Sequence, residues 1–216
     1  MLRTIKTLFL IATTSPYEKI LSGAPIILVL GDSTGYGTGV RRRKDSVAGL
    51  IGQDYLAYTI KNNSKNGRTI GDLVQVSKNL EGNYELILLQ IGGNDILQKR
   101  DVRAVEQELR TIVLNLTKHT KHIVMISSGN VGGAAAFSDT EADEYEKITR
   151  SFRSMFLQVA EDTSLTYVDL FLEPEVDIIS NNPKTYLSID GLHPSSEGYA
   201  LWYKSLKSTL QKILAM

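Results

Sequence analysis

Short apolar runs alternate along the chain with stretches whose apolar residues recur every three or four positions. Continuous apolar runs are typical of strands buried on both faces of a parallel sheet, and the longer period is typical of helices that cover it. The runs that predict strands are Ile26–Leu30, Tyr55–Ile60, Leu86–Ile91, Ile123–Ile126 and Tyr167–Phe171. This order predicts an α/β fold with three layers, in which a five-stranded parallel sheet lies between helices.

Three helical patterns are the clearest. One starts at Val102, directly after Asp101, a residue typical of a helix cap; the others cover Tyr145–Val159 and Trp202–Ile213. The 216 residues contain no repeat, low-complexity stretch or linker. We therefore expect one domain over residues 25–216, preceded by a separate amino-terminal segment, residues 1–24.

The amino-terminal segment leaves two interpretations open. Its basic first residues and the apolar stretch Leu8–Ala12 resemble the start of a signal peptide. The apolar stretch is short, no small-x-small cleavage site follows it, and it cannot span a bilayer. The segment is either a packed extension or a degenerate export or anchor sequence. A cytoplasmic location is slightly favoured, and membrane attachment through this segment is left open without being favoured.

Charge and cysteine content narrow the class of protein. The 24 basic and 24 acidic residues cancel, so the chain has no general attraction for nucleic acid, and none is expected as a partner. The basic run Arg41–Lys44 is interpreted as a solvated loop, with contact to an anionic substrate as the alternative. The absence of cysteine excludes thiol nucleophiles, disulfides and cysteine-bound zinc.

Polar residues follow the predicted strands at one edge of the sheet. Ser33 follows the first strand, Asn94 the third, Ser127–Gly133 the fourth, and His193 lies between the fifth strand and the last helix. Parallel α/β sheets bind ligands at the carboxyl ends of their strands. We therefore expect these residues to border one site.

The residue types at this edge indicate nucleophilic catalysis. A serine hydroxyl needs a base, and His193 is the candidate because His119 and His122 precede the fourth strand, at the opposite edge. Asp190, three positions before His193, can hold the imidazole in the required tautomer. Ser33 is then the nucleophile, His193 the base and Asp190 the orienting carboxylate.

Attack on a carbonyl also requires donors to the developing oxyanion. The candidates are the main-chain N–H groups of Ser33 and Gly67 and the side-chain amide of Asn94. The substrate-binding residues are expected to include four further positions next to the nucleophile and after the fourth strand: Asp32, Gly129, Asn130 and Val131. No metal and no cofactor are expected, because no cluster of ligands is evident.

The motifs resemble those of the SGNH (GDSL) hydrolase superfamily, and they occur in the family's order over most of the chain. The matching blocks are Gly31-Asp32-Ser33, Gly67, Gly92-Gly93-Asn94-Asp95 and Asp190-Gly191-Leu192-His193. The resemblance implies a flavodoxin-like three-layer α/β/α fold and a serine esterase, lipase or carbohydrate deacylase without a metal. Two positions depart from the family: Thr34 replaces a common leucine, and the block around Gly67 matches least well.

The sequence thus predicts a serine hydrolase that cleaves carboxylic esters through a Ser-His-Asp triad and an acyl-enzyme. Short-acyl esters are the expected substrates. Its expected partner is a small-molecule ester. A carbohydrate O-deacetylase, a lysophospholipase and a thioesterase of the same superfamily are the alternatives. Gly31–Gly35 also fits the elbow of α/β-hydrolases, but those enzymes separate acid and histidine by more chain. A non-catalytic binding domain, including a glycine-rich nucleotide-binding module, is the remaining alternative.

Overall fold

A computed structural model describes residues 2–214 of the chain, with side chains from residue 5 onward. In this part of the chain, five strands form one sheet in the order β2-β1-β3-β4-β5, and all neighbouring strands are parallel. This confirms the predicted α/β fold with a five-stranded parallel sheet. The strands are β1 (Ile26–Gly31), β2 (Thr59–Ser64), β3 (Leu86–Gln90), β4 (Ile123–Ile126) and β5 (Leu165–Val168).

Helices connect the strands and cover both faces of the sheet. Short 3₁₀ turns lie at Arg43–Asp45 and Val131–Gly133. The α-helices of the described residues are α1 (Leu2–Thr13), α2 (Ser33–Tyr36), α3 (Val47–Asp54), α4 (Ile70–Lys78), α5 (Gly93–Leu97), α6 (Val102–Leu116), α7 (Asp139–Asp162), α8 (Ile178–Asn181), α9 (Pro183–Tyr186) and α10 (Ser196–Ile213).

Alternate side chains of the strands enter two separate cores. Leu28 and Leu30 of β1 face a core shared with α4, α6 and α7. Ile27 and Val29 face the second core, which α3 and α10 cover. The last long helix of the chain therefore packs against its first strand, and this arrangement gives the predicted three layers.

Two strands lie at different positions from those predicted. The apolar run Tyr55–Ile60 predicted β2, whereas the strand spans Thr59–Ser64. It is an edge strand that alternates buried with exposed residues, so polar side chains occupy it, and Tyr55 instead ends α3. The run Tyr167–Phe171 likewise placed β5 too far along the chain, because the strand starts at Leu165. After the strand the chain turns, and the Asp169 carboxylate accepts the Phe171 N–H.

The helix predicted after Asp101 forms as expected. The carboxylate of Asp101 accepts the N–H of Ala104 at 2.8 Å, which satisfies one of the free donors of the first turn of α6. The apolar positions of this helix, Val105 and Leu109 among them, are buried in the first core.

The amino-terminal segment contains α1 and a connection held to the body of the domain. The ammonium group of Lys19 donates to the carbonyls of Gly52 and Tyr55 at 2.8 and 2.9 Å, at the carboxyl end of α3. The main chain of Lys19 also bridges to Ile60 of β2. Among the helices described, none combines the length and apolarity needed to cross a membrane.

Candidate active site

Ser33 lies directly after β1, where the chain turns from the strand into the short helix α2. The carboxylate of Asp32 accepts both the N–H and the hydroxyl of Thr34 at 2.8 Å, and this cap starts the helix. Asp32 is buried, and burial raises the pKa of its carboxyl group. These contacts fix the backbone on both sides of Ser33 and present its hydroxyl at the edge of the sheet.

Asp190 and His193 belong to one tight loop between α9 and α10. The loop is closed by a bridge between Leu187 and Pro194 and by the Ser188 N–H, which donates to the His193 carbonyl at 2.8 Å. Within it, the Asp190 carboxylate accepts the main-chain N–H groups of Leu192 and His193 at 3.0 and 3.1 Å. His193 and the Asp190 carboxylate are therefore held in one rigid turn.

Three side chains form a continuous line of hydrogen bonds. Ser33 Oγ lies 2.9 Å from His193 Nε2, and His193 Nδ1 lies 2.7 Å from Asp190 Oδ2. The Asp190 side chain is fully buried and that of His193 is 9% exposed. The structure thus brings together the three residues predicted as nucleophile, base and orienting carboxylate, which lie up to 160 positions apart in sequence.

The Asp190 carboxylate has an unusually large set of donors. Its Oδ1 accepts the Ser188 hydroxyl at 2.8 Å besides the two main-chain N–H groups, and its Oδ2 accepts both His193 and the hydroxyl of Thr7, the latter at 3.0 Å. Burial raises the pKa of the Asp190 carboxyl, but the hydrogen bond and charge of His193 outweigh burial and hold the pKa well below its ordinary value. Asp190 is therefore a fixed negative charge beside the imidazole.

The three predicted oxyanion donors line one pocket. Ser33, Gly67 and Asn94 all line the pocket at the Ser33 hydroxyl. One N–H of the Asn94 amide donates to the Arg68 carbonyl at 2.9 Å, which orients the amide and leaves its second N–H for a ligand. Gly67 has φ +80°, and a side chain there would meet open space, so its backbone faces the pocket.

The pocket has a volume of about 620 Å³ and is lined by both polar and apolar residues. The polar residues include Ser33 and the oxyanion candidates. The apolar lining residues, called the apolar wall below, come mainly from α1, the loops after β5 and α10: Ile11, Leu170, Leu187, Leu192, Leu201 and Trp202. Such a pocket can hold an acyl group against the apolar wall while its carbonyl reaches Ser33.

The four residues predicted to bind substrate all border this pocket, with different contacts. The Asp32 carboxylate already accepts a hydrogen bond from the Thr34 N–H. Asn130 accepts the Gly132 N–H at 3.1 Å and starts a 3₁₀ turn. Val131 is largely buried in the first core. Gly129 approaches the Leu170 carbonyl so closely that a Cβ would lie 3.0 Å from it. Their contacts shape the wall rather than offer free polar groups.

Several residues at the site carry no sequence signal. Thr7 and Ile11 come from α1 and reach the site only because α1 lies beside the loop that contains Asp190. The basic run, in contrast, is not among the described residues that line this pocket. Its Arg41 pairs with Glu197, and Arg42 lies 3.0 Å from Asp45. No group of three or more histidine, aspartate or glutamate side chains able to hold a metal ion occurs among the residues described.

The sequence of the domain matches a known family over most of its length. Residues 29–201 match the model of the GDSL-like Lipase/Acylhydrolase family. The chain belongs to this family. The residues that match the GDSL-like family include Ser33, Asn94, Asp190 and His193, but not those of α1. No sequence among the curated proteins matches the chain.

Solved structures agree with the GDSL-like fold. A member of the lipolytic G-D-S-L family from Veillonella parvula superposes with a TM-score of 0.70 at 16% identity, covering 88% of this chain and 100% of that one. The psychrotrophic esterase EstA from Pseudoalteromonas gives 0.63 at 21% identity, covering 87% and 97%. Axe2, an acetylxylan esterase from Geobacillus stearothermophilus, gives 0.62 at 21% identity, covering 92% and 97%. At these identities the similarity concerns the fold alone.

Proposed function

We propose that the chain is a serine esterase that cleaves carboxylic esters through an acyl-enzyme on Ser33. The observation that carries the proposal is the line of hydrogen bonds from Ser33 Oγ through His193 to the buried Asp190, at 2.9 and 2.7 Å. A serine hydroxyl becomes an effective nucleophile only when such a base accepts its proton. Family membership supports a hydrolase in general, and the geometry supports this particular mechanism.

In the first half-reaction, Ser33 Oγ attacks the ester carbonyl while His193 Nε2 accepts the hydroxyl proton. The negative charge on the carbonyl oxygen is stabilised by the Ser33 and Gly67 N–H groups and the free N–H of Asn94. The intermediate then collapses as His193 returns the proton to the alkoxide that leaves as an alcohol. In the second half, a water molecule attacks the acyl-enzyme by the same steps and releases the acid.

The pocket bears on the substrate. Its apolar wall suits an acyl chain, and its volume of about 620 Å³ exceeds the needs of an acetyl group. We propose acyl esters as the substrates. Short acyl chains fit the pocket, and longer chains would also contact Leu201 and Trp202 of the apolar wall. A lysophospholipase or thioesterase would use the same wall. A carbohydrate O-deacetylase would instead use polar lining residues such as Asp169, Asp177 and Lys204 to bind sugar hydroxyls.

The test combines a covalent probe with a substrate panel. A fluorophosphonate should label the protein at Ser33, and Ser33→Ala should lose both labelling and ester turnover. Ser128→Ala is the matched control, because Ser128 lines the same pocket without contacting His193 in the triad. Loss of labelling in Ser128→Ala with retention in Ser33→Ala would overturn the assignment.

The panel consists of p-nitrophenyl esters from acetate to decanoate, a lysophospholipid, an acyl thioester and an acetylated xylo-oligosaccharide. Rates on the p-nitrophenyl esters should rise beyond acetate as the chain covers the apolar wall. Turnover confined to the acetylated sugar would replace this proposal with the deacetylase.

A further inference from the structure

Helix α1 contributes a hydroxyl to the catalytic carboxylate. Thr7 Oγ1 lies 3.0 Å from Asp190 Oδ2, the same oxygen that accepts the Nδ1–H of His193 at 2.7 Å. The two residues are 183 positions apart. Since the family match begins at residue 29, Thr7 lies outside the sequence that defines the family.

We propose that Thr7 is a positioning residue for the reaction, which holds Asp190 Oδ2 in the plane and at the distance that the His193 imidazole requires. The inference rests on the proposed triad. Asp190 Oδ1 is held by Ser188 and by two main-chain N–H groups of its own loop. On Oδ2, in contrast, Thr7 is the one donor other than His193 among the contacts of the described residues.

The position of Thr7 on α1 fits this role. On the same face of the helix, Leu10 is buried and Ile11 lines the pocket, so this face is the one turned to the body of the domain. The chain after the helix is fixed by Lys19 on the carbonyls at the end of α3. The segment is therefore attached to the domain both at α1 and after it, and this limits the positions that the Thr7 hydroxyl can take.

The chemical consequence follows from competition for one oxygen. A hydroxyl that donates to a carboxylate stabilises the negative charge and weakens the hold of that oxygen on the imidazole proton. Without Thr7, Asp190 Oδ2 keeps His193 as its one donor among the described residues and loses the contact that limits its rotation. Removing the hydroxyl should thus change the hydrogen bond between Asp190 and His193 and lower kcat.

The experiment compares three variants that differ in one group. Thr7→Val keeps the size and removes the donor, Thr7→Ser keeps the donor and removes a methyl group, and Thr13→Val changes a threonine on the same helix that bonds only helix carbonyls. We expect Thr7→Val to lower kcat about 10-fold, the effect of one charge-assisted hydrogen bond. KM should change little. Thr7→Ser should restore kcat, and Thr13→Val should match the wild type.

A readout that needs no substrate separates this proposal from the proposed function. The Nδ1 proton of His193 in its bond to Asp190 gives a proton NMR resonance whose chemical shift reports on that hydrogen bond. Thr7→Val should change this chemical shift and Thr7→Ser should restore it, even if no ester in the panel is turned over. An unchanged resonance and a kcat equal to that of Thr13→Val would overturn the role of Thr7. Equal losses in Thr7→Val and Thr7→Ser would overturn it as well, because packing and not the hydroxyl would then matter.

Discussion

Gly39 lies where the segment after Ser33 meets the loop that carries His193. Its φ is +105°, and a Cβ at this position would overlap the carbonyl oxygen of Pro194 and lie 3.2 Å from the Cβ atoms of His193 and Ser188. The absence of a side chain therefore allows the two loops to approach until Ser33 and His193 are in hydrogen-bond contact. Gly39→Ala is expected to push the loops apart.

Two costs add in this variant. An L-residue with a left-handed backbone costs roughly 1–2 kcal/mol, and an extra carbon in a filled site costs roughly 1–3 kcal/mol more. The free energy of unfolding should thus fall by about 2–5 kcal/mol. Activity should fall further than stability explains, because the atoms that must move belong to the His193 loop. A displacement near 1 Å between reacting groups is expected to lower kcat by about 10².

The measurements are urea unfolding and ester kinetics well below the unfolding transition. Gly23→Ala is the matched control, because Gly23 also has a positive φ of +72° while nothing lies within 4 Å of its added Cβ. It should lose only the backbone cost of roughly 1–2 kcal/mol and keep its kcat. If Gly39→Ala unfolds with the same free energy as Gly23→Ala and retains full kcat, close approach at Gly39 does not set the catalytic distance.

Two further predictions concern the site. Asn94→Ala should lower kcat by about 10²–10³ with little change in KM, because its amide donates mainly to the charged transition state; an unchanged kcat in a variant with native melting behaviour would contradict this. The Asp190 carboxyl should stay ionised as the pH is lowered to about 4, because its hydrogen bonds hold its pKa below the ordinary value. A carboxyl carbon NMR resonance of Asp190 that titrates above about pH 4 would refute the depressed pKa.

The parts of the fold that the sequence predicted well are those buried on both sides. The central strands β1, β3 and β4 consist of apolar residues throughout, so their pattern has one interpretation. The edge strand β2 alternates buried and exposed positions, and it contains polar residues such as Asn62 and Asn63. Its sequence therefore resembles that of a loop. Burial on one face only is a weaker signal in sequence than burial on two.

The residues of the candidate site also differ in how well the sequence predicts them. Ser33, Asn94 and His193 follow strands or precede a helix, so topology alone predicts that they meet at one edge. Thr7 on α1 and Gly39 after α2 instead contact the loop of Asp190 and His193, which is distant in sequence. Such contacts depend on how the elements dock, and neither residue type is unusual at its place in the chain. Residues that complete a site through docking leave no local pattern from which they could be predicted.

The packing of α10 against β1 also orders events during synthesis. The face of β1 that carries Ile27 and Val29 is covered by residues of α10, more than 160 positions later in the chain. At about 5–20 residues per second, a ribosome needs on the order of ten seconds or more to make that distance. Until then the first strand exposes an apolar face that chaperones can bind. A chain interrupted before α10 therefore leaves the side of β1 that carries Ile27 and Val29 without its cover from this helix.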